Sequence, residues 1–216
     1  MVTTDKGEFT AKVVIIATGS ERRKLGVPGE EEFIGRGVSY CGTCDAPFFK
    51  QRRVAIVGGG NVAITEALHL AKFASEVKLI HRRDQLRATR ILQEKVFAEP
   101  RIELLWNTVI DAIEGQDMVK RLKLRQVKTG IESALDVDGI FVSVGISPNT
   151  AFVKGTIPLD SAGYIITNEK METEIPGIFA AGDVRLNSAK QAITAAGDGA
   201  TAAIYAERFI TEKKTS

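Results

Sequence analysis

Val54-Ala55-Ile56-Val57-Gly58-Gly59-Gly60-Asn61-Val62-Ala63 is an apolar run that stops on three glycines and resumes in a helical pattern. Four apolar residues before a glycine cluster suit a buried strand, and the apolar members of Val62 to Ala74 recur at helical spacing. Val77 to Ile80 then reads as a second strand, so the segment predicts a βαβ unit. Gly58, Gly59, Gly60, Asn61, Val62 and Ala63 fit G-x-G-x-x-A at the strand-to-helix turn. Glycines there permit a tight turn and let the backbone approach a pyrophosphate at the positive end of the helix. Many glycine-rich turns of this kind bind nothing, so the motif alone does not decide for a dinucleotide.

The end of the second strand adds to it. A site for an unphosphorylated ribose commonly carries Asp or Glu there, whereas this chain has His81-Arg82-Arg83, with Arg87 one turn later. A guanidinium is a permanently charged planar fork that matches phosphate oxygens, so the arginines favour NADP(H) over NAD(H). The plainer reading is a solvated basic turn.

Working outward, Gln85 to Glu99 fits a helix ended by Pro100, and Ile102–Leu105, Val119–Leu124 and Ile140–Val144 fit short strands, closing an α/β domain near Gly145. Upstream, Phe9 to Ala17 predicts one strand, closed by Thr18-Gly19-Ser20. Residues 21–37, with five Gly or Pro among charges, predict a connector held by few contacts. Beyond Pro148-Asn149 the pattern shifts to short β-like pieces, Gly163–Thr167 and Gly177–Ala181, and an Ala-rich helix from about Gln191 to Ile210. The late segment finds its best partner in the opening strand, which predicts one domain inserted into another: 1–22 with 148–216 around 23–147.

Composition removes several function classes. With 29 basic and 27 acidic residues and no polybasic run, the chain has no footprint for nucleic acid or an anionic membrane. Neither a leader pattern nor a long apolar run is evident, so a soluble, cytoplasmic protein is expected. Its two cysteines, Cys41 and Cys44, then read as catalytic or metal-binding rather than a structural staple. In Cys41-Gly42-Thr43-Cys44-Asp45 the thiols are close enough for a small, readily reduced disulfide, in which one thiolate attacks a partner and the other resolves the mixed disulfide. A closed zinc site needs four ligands, and His69 and His81 are poorly placed to supply the rest, so no metal is expected. Haem attachment needs His where Asp45 stands, and a pair of inert buried thiols is the bland alternative. Asp45 could donate a proton to a released thiolate or could serve as a turn or helix cap; spacing leaves both open. Gly177 to Asp183 reads as a strand ending in a turn, with a cofactor contact as the second reading.

Together, Ala17-Thr18-Gly19, the Cys41-to-Asp45 motif, Gly58 to Ala63, His81 to Ala88 and Gly177 to Asp183 resemble, in order and spacing, the low-molecular-weight thioredoxin reductases, over essentially the whole chain. The resemblance implies an α/β flavoprotein whose Rossmann-like NADPH-binding domain is inserted into a partial FAD-binding domain. It implies Cys44 facing the flavin, Cys41 exchanging with thioredoxin and Asp45 as the acid. Arg82, Arg83 and Arg87 would hold the NADPH 2′-phosphate, with Gly58 to Ala63, His81 and Gly145 completing the nucleotide site. Thr18, Gly19, Gly182, Asp183, Gln191, Ala192 and Ile193 would touch FAD. A homodimer is the family's usual state, and its two domains rotate about connectors here near 23 and 148.

The family also opens with a G-x-G-x-x-G for the ADP half of FAD, and none precedes Val13. A fragment of a longer reading frame is the favoured expectation, with a partner-supplied half or a non-enzymatic NADP(H)-binding module as alternatives. A related flavoprotein acting on another partner is the third reading. A ferredoxin-fed reductase is disfavoured by the complete nicotinamide motif.

Overall fold

The computed structural model describes residues 1–212. The chain forms two compact units, one of Met1–Glu21 with the residues from Ile146 onward, the other of Arg22–Gly145. The first opens with an antiparallel hairpin, β1 (Val2–Thr4) and β2 (Gly7–Phe9), followed by β3 (Val14–Ile16) and β4 (Ser20–Arg22). The single strand expected over Phe9–Ala17 is thus two, because Phe9 turns back to pair with Val2 and only Val14–Ile16 enters the core sheet.

The second unit contains β5 (Val38–Ser39), α1 (Gly42–Asp45), β6 (Arg53–Gly58), α2 (Asn61–Leu70), β7 (Glu76–His81), α3 (Arg90–Ala98), β8 (Ile102–Trp106), β9 (Thr108–Gly115), β10 (Val119–Gln126), β11 (Glu132–Asp136) and β12 (Gly139–Ser143). Five strands make a parallel sheet in the order β5-β12-β6-β7-β8, and β11-β10-β9 make an antiparallel sheet in the connection from β8 to β12. The parallel strands are buried on both faces, which is why they read as unbroken apolar runs. Ile56, Leu79 and Phe141 pack with Ile64 and Leu70 of α2 and Val96 of α3, while Ala55, Ile80 and Ile140 face Ile110, Ile113 and Leu122 of the antiparallel sheet.

Several expected elements are shifted. Helix α3 starts at Arg90, not Gln85, because the amides of Arg87 and Ala88 both donate to the Gly59 carbonyl and that of Thr89 to Asn61 Oδ1; these donors are committed to the glycine turn. Helix α2 stops at Leu70, where the Phe73 and Ala74 amides close a turn on its carbonyl. Strands β9 and β11 were not expected. Register shifts in the β9–β10 pairing break the alternation, and β11, Glu-Ser-Ala-Leu-Asp, is an exposed edge with no apolar pattern. The segment 21–37 is held by far more than the few contacts expected. Glu30 is 1% exposed and accepts from the amides of Leu25 and Gly26 and from Tyr40 Oη, and Phe33 lies in the core.

The first unit resumes with β13 (Ile146–Pro148), β14 (Ile178–Ala180) and α4 (Ala192–Glu212). β14 runs parallel to β3, pairing Ile178 with Val14 and Ala180 with Ile16. Phe179 and Ala181 pack under Ala202 and Ala206 of α4, while Ile16 and Ala180 face Val153, Ile157 and Ile165. No strand forms at Gly163–Thr167; only Ile165 makes isolated bridges, to Leu159 and Arg185. Among the described residues no helix is long and apolar enough to cross a membrane.

Candidate active site

Cys41 and Cys44 are joined as a disulfide in the loop that leaves β5. Ser39, the last residue of β5 and 6% exposed, organises this loop through one hydroxyl. It donates to Asp45 Oδ2 at 2.6 Å and accepts from the Cys41 amide at 3.1 Å. Asp45 therefore does not cap a helix: its side chain makes no capping hydrogen bond to the short helical turn it precedes. The Cys44 amide donates to Cys41 Sγ at 3.2 Å. On the other side, the Gly42 amide donates to Glu66 Oε1 of α2 at 3.2 Å, and a Cβ at residue 42 would lie 3.1 Å from Glu66 Cβ. Glycine at position 42 lets the redox loop lie directly on the helix that begins at the glycine turn. Next to it, burial and the Glu30 carboxylate push the Tyr40 phenol well above its ordinary range, so Tyr40 is a neutral donor that ties the loop to the Glu30 anchor. No cluster of three or more metal-ligating side chains exists among the described residues.

The glycine turn sits at the carboxyl end of β6, with Gly58 opposite Ser143 of the parallel neighbour β12 in the register. In open α/β sheets ligands bind outside the carboxyl ends of the strands. A Cβ on Gly58 would be 2.4 Å from the Ser143 carbonyl and 2.5 Å from Ala63 Cβ, and one on Gly59 would be 2.3 Å from the His81 ring. A Cβ on Gly60, by contrast, meets nothing within 4 Å. The turn is thus packed against protein on one side and open on the other. His81 is buried beneath it, its Nε2 3.0 Å from the Gln85 carbonyl, and burial holds its pKa below the ordinary value. Arg82, Arg83 and Arg87 are exposed and line a depression of about 380 Å³. Gly145, in a left-handed conformation, accepts the Arg23 amide at 3.0 Å.

Comparison with known proteins identifies relatives of the chain. The family model described as pyridine nucleotide-disulphide oxidoreductase matches residues 1–199. Thioredoxin reductase of Peptoclostridium acidaminophilum is 47% identical over 212 residues, which are 95% of this chain and 67% of that protein. The chain belongs to the pyridine nucleotide-disulphide oxidoreductases, as a thioredoxin reductase of the low-molecular-weight type. Thioredoxin reductase of Treponema pallidum is likewise 47% identical, over 97% of this chain and 68% of its own length. The crystal structure of thioredoxin reductase from Streptococcus pyogenes superposes with a TM-score of 0.91 at 45% identity, covering 97% of this chain and 69% of that one. The chain therefore spans about two thirds of these reductases.

The remaining candidate residues of this reductase lie in the other unit. Thr18 and Gly19 follow β3 and are locked to Asn149: Thr18 Oγ1 donates to the Asn149 carbonyl at 2.8 Å, and Asn149 Nδ2 returns a bond to the Thr18 carbonyl at 3.0 Å. Gly182 and Asp183 follow β14. The Gly182 amide donates to Asp198 Oδ2 of α4 at 3.1 Å, and Asp198 is clamped by Arg185 through Nε at 2.6 Å and Nη2 at 2.8 Å. Asp183 is half-buried and accepts from Ser188 Oγ at 3.1 Å. Gln191 immediately precedes α4, and Ala192 and Ile193 are exposed in its first turn.

Sequence reasoning missed Ser39, Glu66 and Asp198. For Ser39 the one readable signal was a small polar residue two positions before Cys41. Glu66 and Asp198 meet their partners across the fold and carry none.

Proposed function

We propose that this chain performs the NADPH-to-thioredoxin branch of the reductase reaction, with electrons passing from NADPH through FAD to Cys41–Cys44 and on to a thioredoxin disulfide. The observation that carries this reading is the redox disulfide held, in one compact unit, on the helix that begins at the dinucleotide turn.

The residues fit the nicotinamide cofactor. The open side of Gly60 and the start of α2 suit a pyrophosphate, and Arg82, Arg83 and Arg87 suit the 2′-phosphate. In the other unit Asp183 suits polyol hydroxyls as an acceptor, with Thr18, Gly19, Gln191, Ala192 and Ile193 as further contacts to FAD. Bound together, the two cofactors supply a pair of electrons at thiol-reactive potential.

The chain's own residues do the rest. Once reduced, Cys41 retains the Cys44 amide as a donor to its sulfur, which favours the thiolate that attacks the thioredoxin disulfide. The new Cys41–thioredoxin bond is broken by the Cys44 thiolate, which re-forms Cys41–Cys44 and leaves thioredoxin with two thiols. Asp45, oriented by Ser39, hands a proton to the departing thioredoxin thiolate and regains it from solvent.

The test is anaerobic alkylation followed by mass spectrometry. With FAD and NADPH both present, two alkylated residues are expected, Cys41 and Cys44; the Cys44→Ser variant should trap thioredoxin through Cys41. No thiols gained with both cofactors, or trapping through Cys44 in Cys41→Ser alone, would overturn the reading.

A further inference from the structure

Beside the three arginines, the depression near the end of β7 contains residues from a different element. The turn joining β10 and β11 brings Val127 and Lys128 to its lining, together with Asn107. This part of the lining is fixed by backbone bonds. The Val127 amide donates to the Asn107 carbonyl at 2.6 Å, the Asn107 amide donates to the Arg83 carbonyl at 3.2 Å, and the Lys128 amide donates to Gln126 Oε1 at 3.2 Å. The turn and the arginine segment are therefore tied together, and Lys128 shares one depression with the arginines.

Lys128 Nζ lies 2.9 Å from Asp84 Oδ2. Asp84 is the one carboxylate lining the depression, directly after Arg83 in the chain. Without Lys128 it would be available to pair with an arginine and would repel a phosphate. A phosphate monoester near neutral pH bears about 1.5 to 2 negative charges and three acceptor oxygens, so it can share a nearby ammonium group with a carboxylate.

We propose that Lys128 is a specificity-determining residue for 2′-phosphorylated nucleotides, a fourth cation beside Arg82, Arg83 and Arg87 whose three ammonium donors serve the phosphate while still holding Asp84. The proposal rests on the reading of those arginines as the 2′-phosphate site and extends it to an element outside the βαβ motif. Lys128 is itself exposed, so its contribution is screened by salt.

Titration calorimetry with 2′,5′-ADP and 5′-AMP tests this without any flavin, on the whole chain, Lys128→Met, Asp84→Asn, the double variant and Arg83→Met. Lys128→Met should weaken 2′,5′-ADP roughly fivefold, with a shallower salt dependence, and leave 5′-AMP unchanged, which also reports an intact fold. The double variant should bind 2′,5′-ADP more weakly than Asp84→Asn alone. Should the double variant match Asp84→Asn, Lys128 only neutralises Asp84 and the proposed contact is wrong. If Lys128→Met binds like the parent chain while Arg83→Met does not, Lys128 has no role and the arginine reading survives. If Arg83→Met also leaves the preference for 2′,5′-ADP unchanged, both readings fall.

Discussion

Two glycine turns at strand ends, Gly58–Gly60 after β6 and Gly182–Asp183 after β14, are held by different physics. The turn at Gly58–Gly60 is held by shape and backbone: the His81 ring fills the space of a Gly59 side chain, and the Gly59 carbonyl collects the amides of Arg87 and Ala88. The turn at Gly182–Asp183 is held by charge, through Asp198 on α4, which takes the Gly182 amide and a two-nitrogen clamp from Arg185. A turn fixed by close packing tolerates no added atoms but is indifferent to salt. One fixed by a largely buried ion pair fails when either partner is lost.

The largest effect should separate the two at once. Asp198→Ala leaves the Arg185 guanidinium largely buried without its carboxylate and should destabilise its unit by about 3 kcal/mol. Chemical denaturation measures this, and a loss below about 1 kcal/mol would mean that packing, not charge, holds the second turn. Next in size, Gly59→Ala should cost about 2 kcal/mol through overpacking against His81. Most of that loss should be absent when Gly59→Ala is made in a His81→Ala background, and additive losses would show that the ring is not the obstacle.

Acid should sharpen the contrast further. Burial depresses His81 below its ordinary 6.5, so the unfolded chain binds the extra proton first. The stability that His81 contributes to its unit is full above about pH 6.5 and falls as pH drops through the folded value. Asp198 is depressed below 3.8, mainly by its hydrogen bond to Arg185, so its contribution is full above that value and is lost only in stronger acid. Amide exchange followed from pH 7.5 to 3.5 should therefore show the Gly58 turn loosening before the Gly182 turn; the reverse order would contradict the assignment of forces. The smallest effect belongs to Asn61→Ala, which removes one exposed bond to the Thr89 amide and should cost roughly 0.5 kcal/mol.

The same contrast explains what the chain reveals to a reader of its sequence. The first turn is legible because its determinants are contiguous: the strand Val54–Val57, three glycines and Ala63, then the arginines at the next strand end. The cysteine pair is legible for the same reason. The second turn depends on Asp198, 16 residues beyond Gly182, and looks like an ordinary strand end until α4 folds over it. Distance in sequence also hid Glu66 from Gly42 and Glu30 from Tyr40, which turned an expected loose connector into an anchored one. The early start expected for α3 failed because three amides at 87–89 serve the glycine turn and its helix instead of a helix of their own.

We propose that the packed turn, and not the charged one, receives the nicotinamide cofactor. Hydrogen–deuterium exchange of the chain with and without NADPH tests it most directly. New protection is expected at residues 58–63 and 82–88, with residues 178–193 unchanged. Protection confined to 178–193, or none at 58–63 under saturating NADPH, would contradict it.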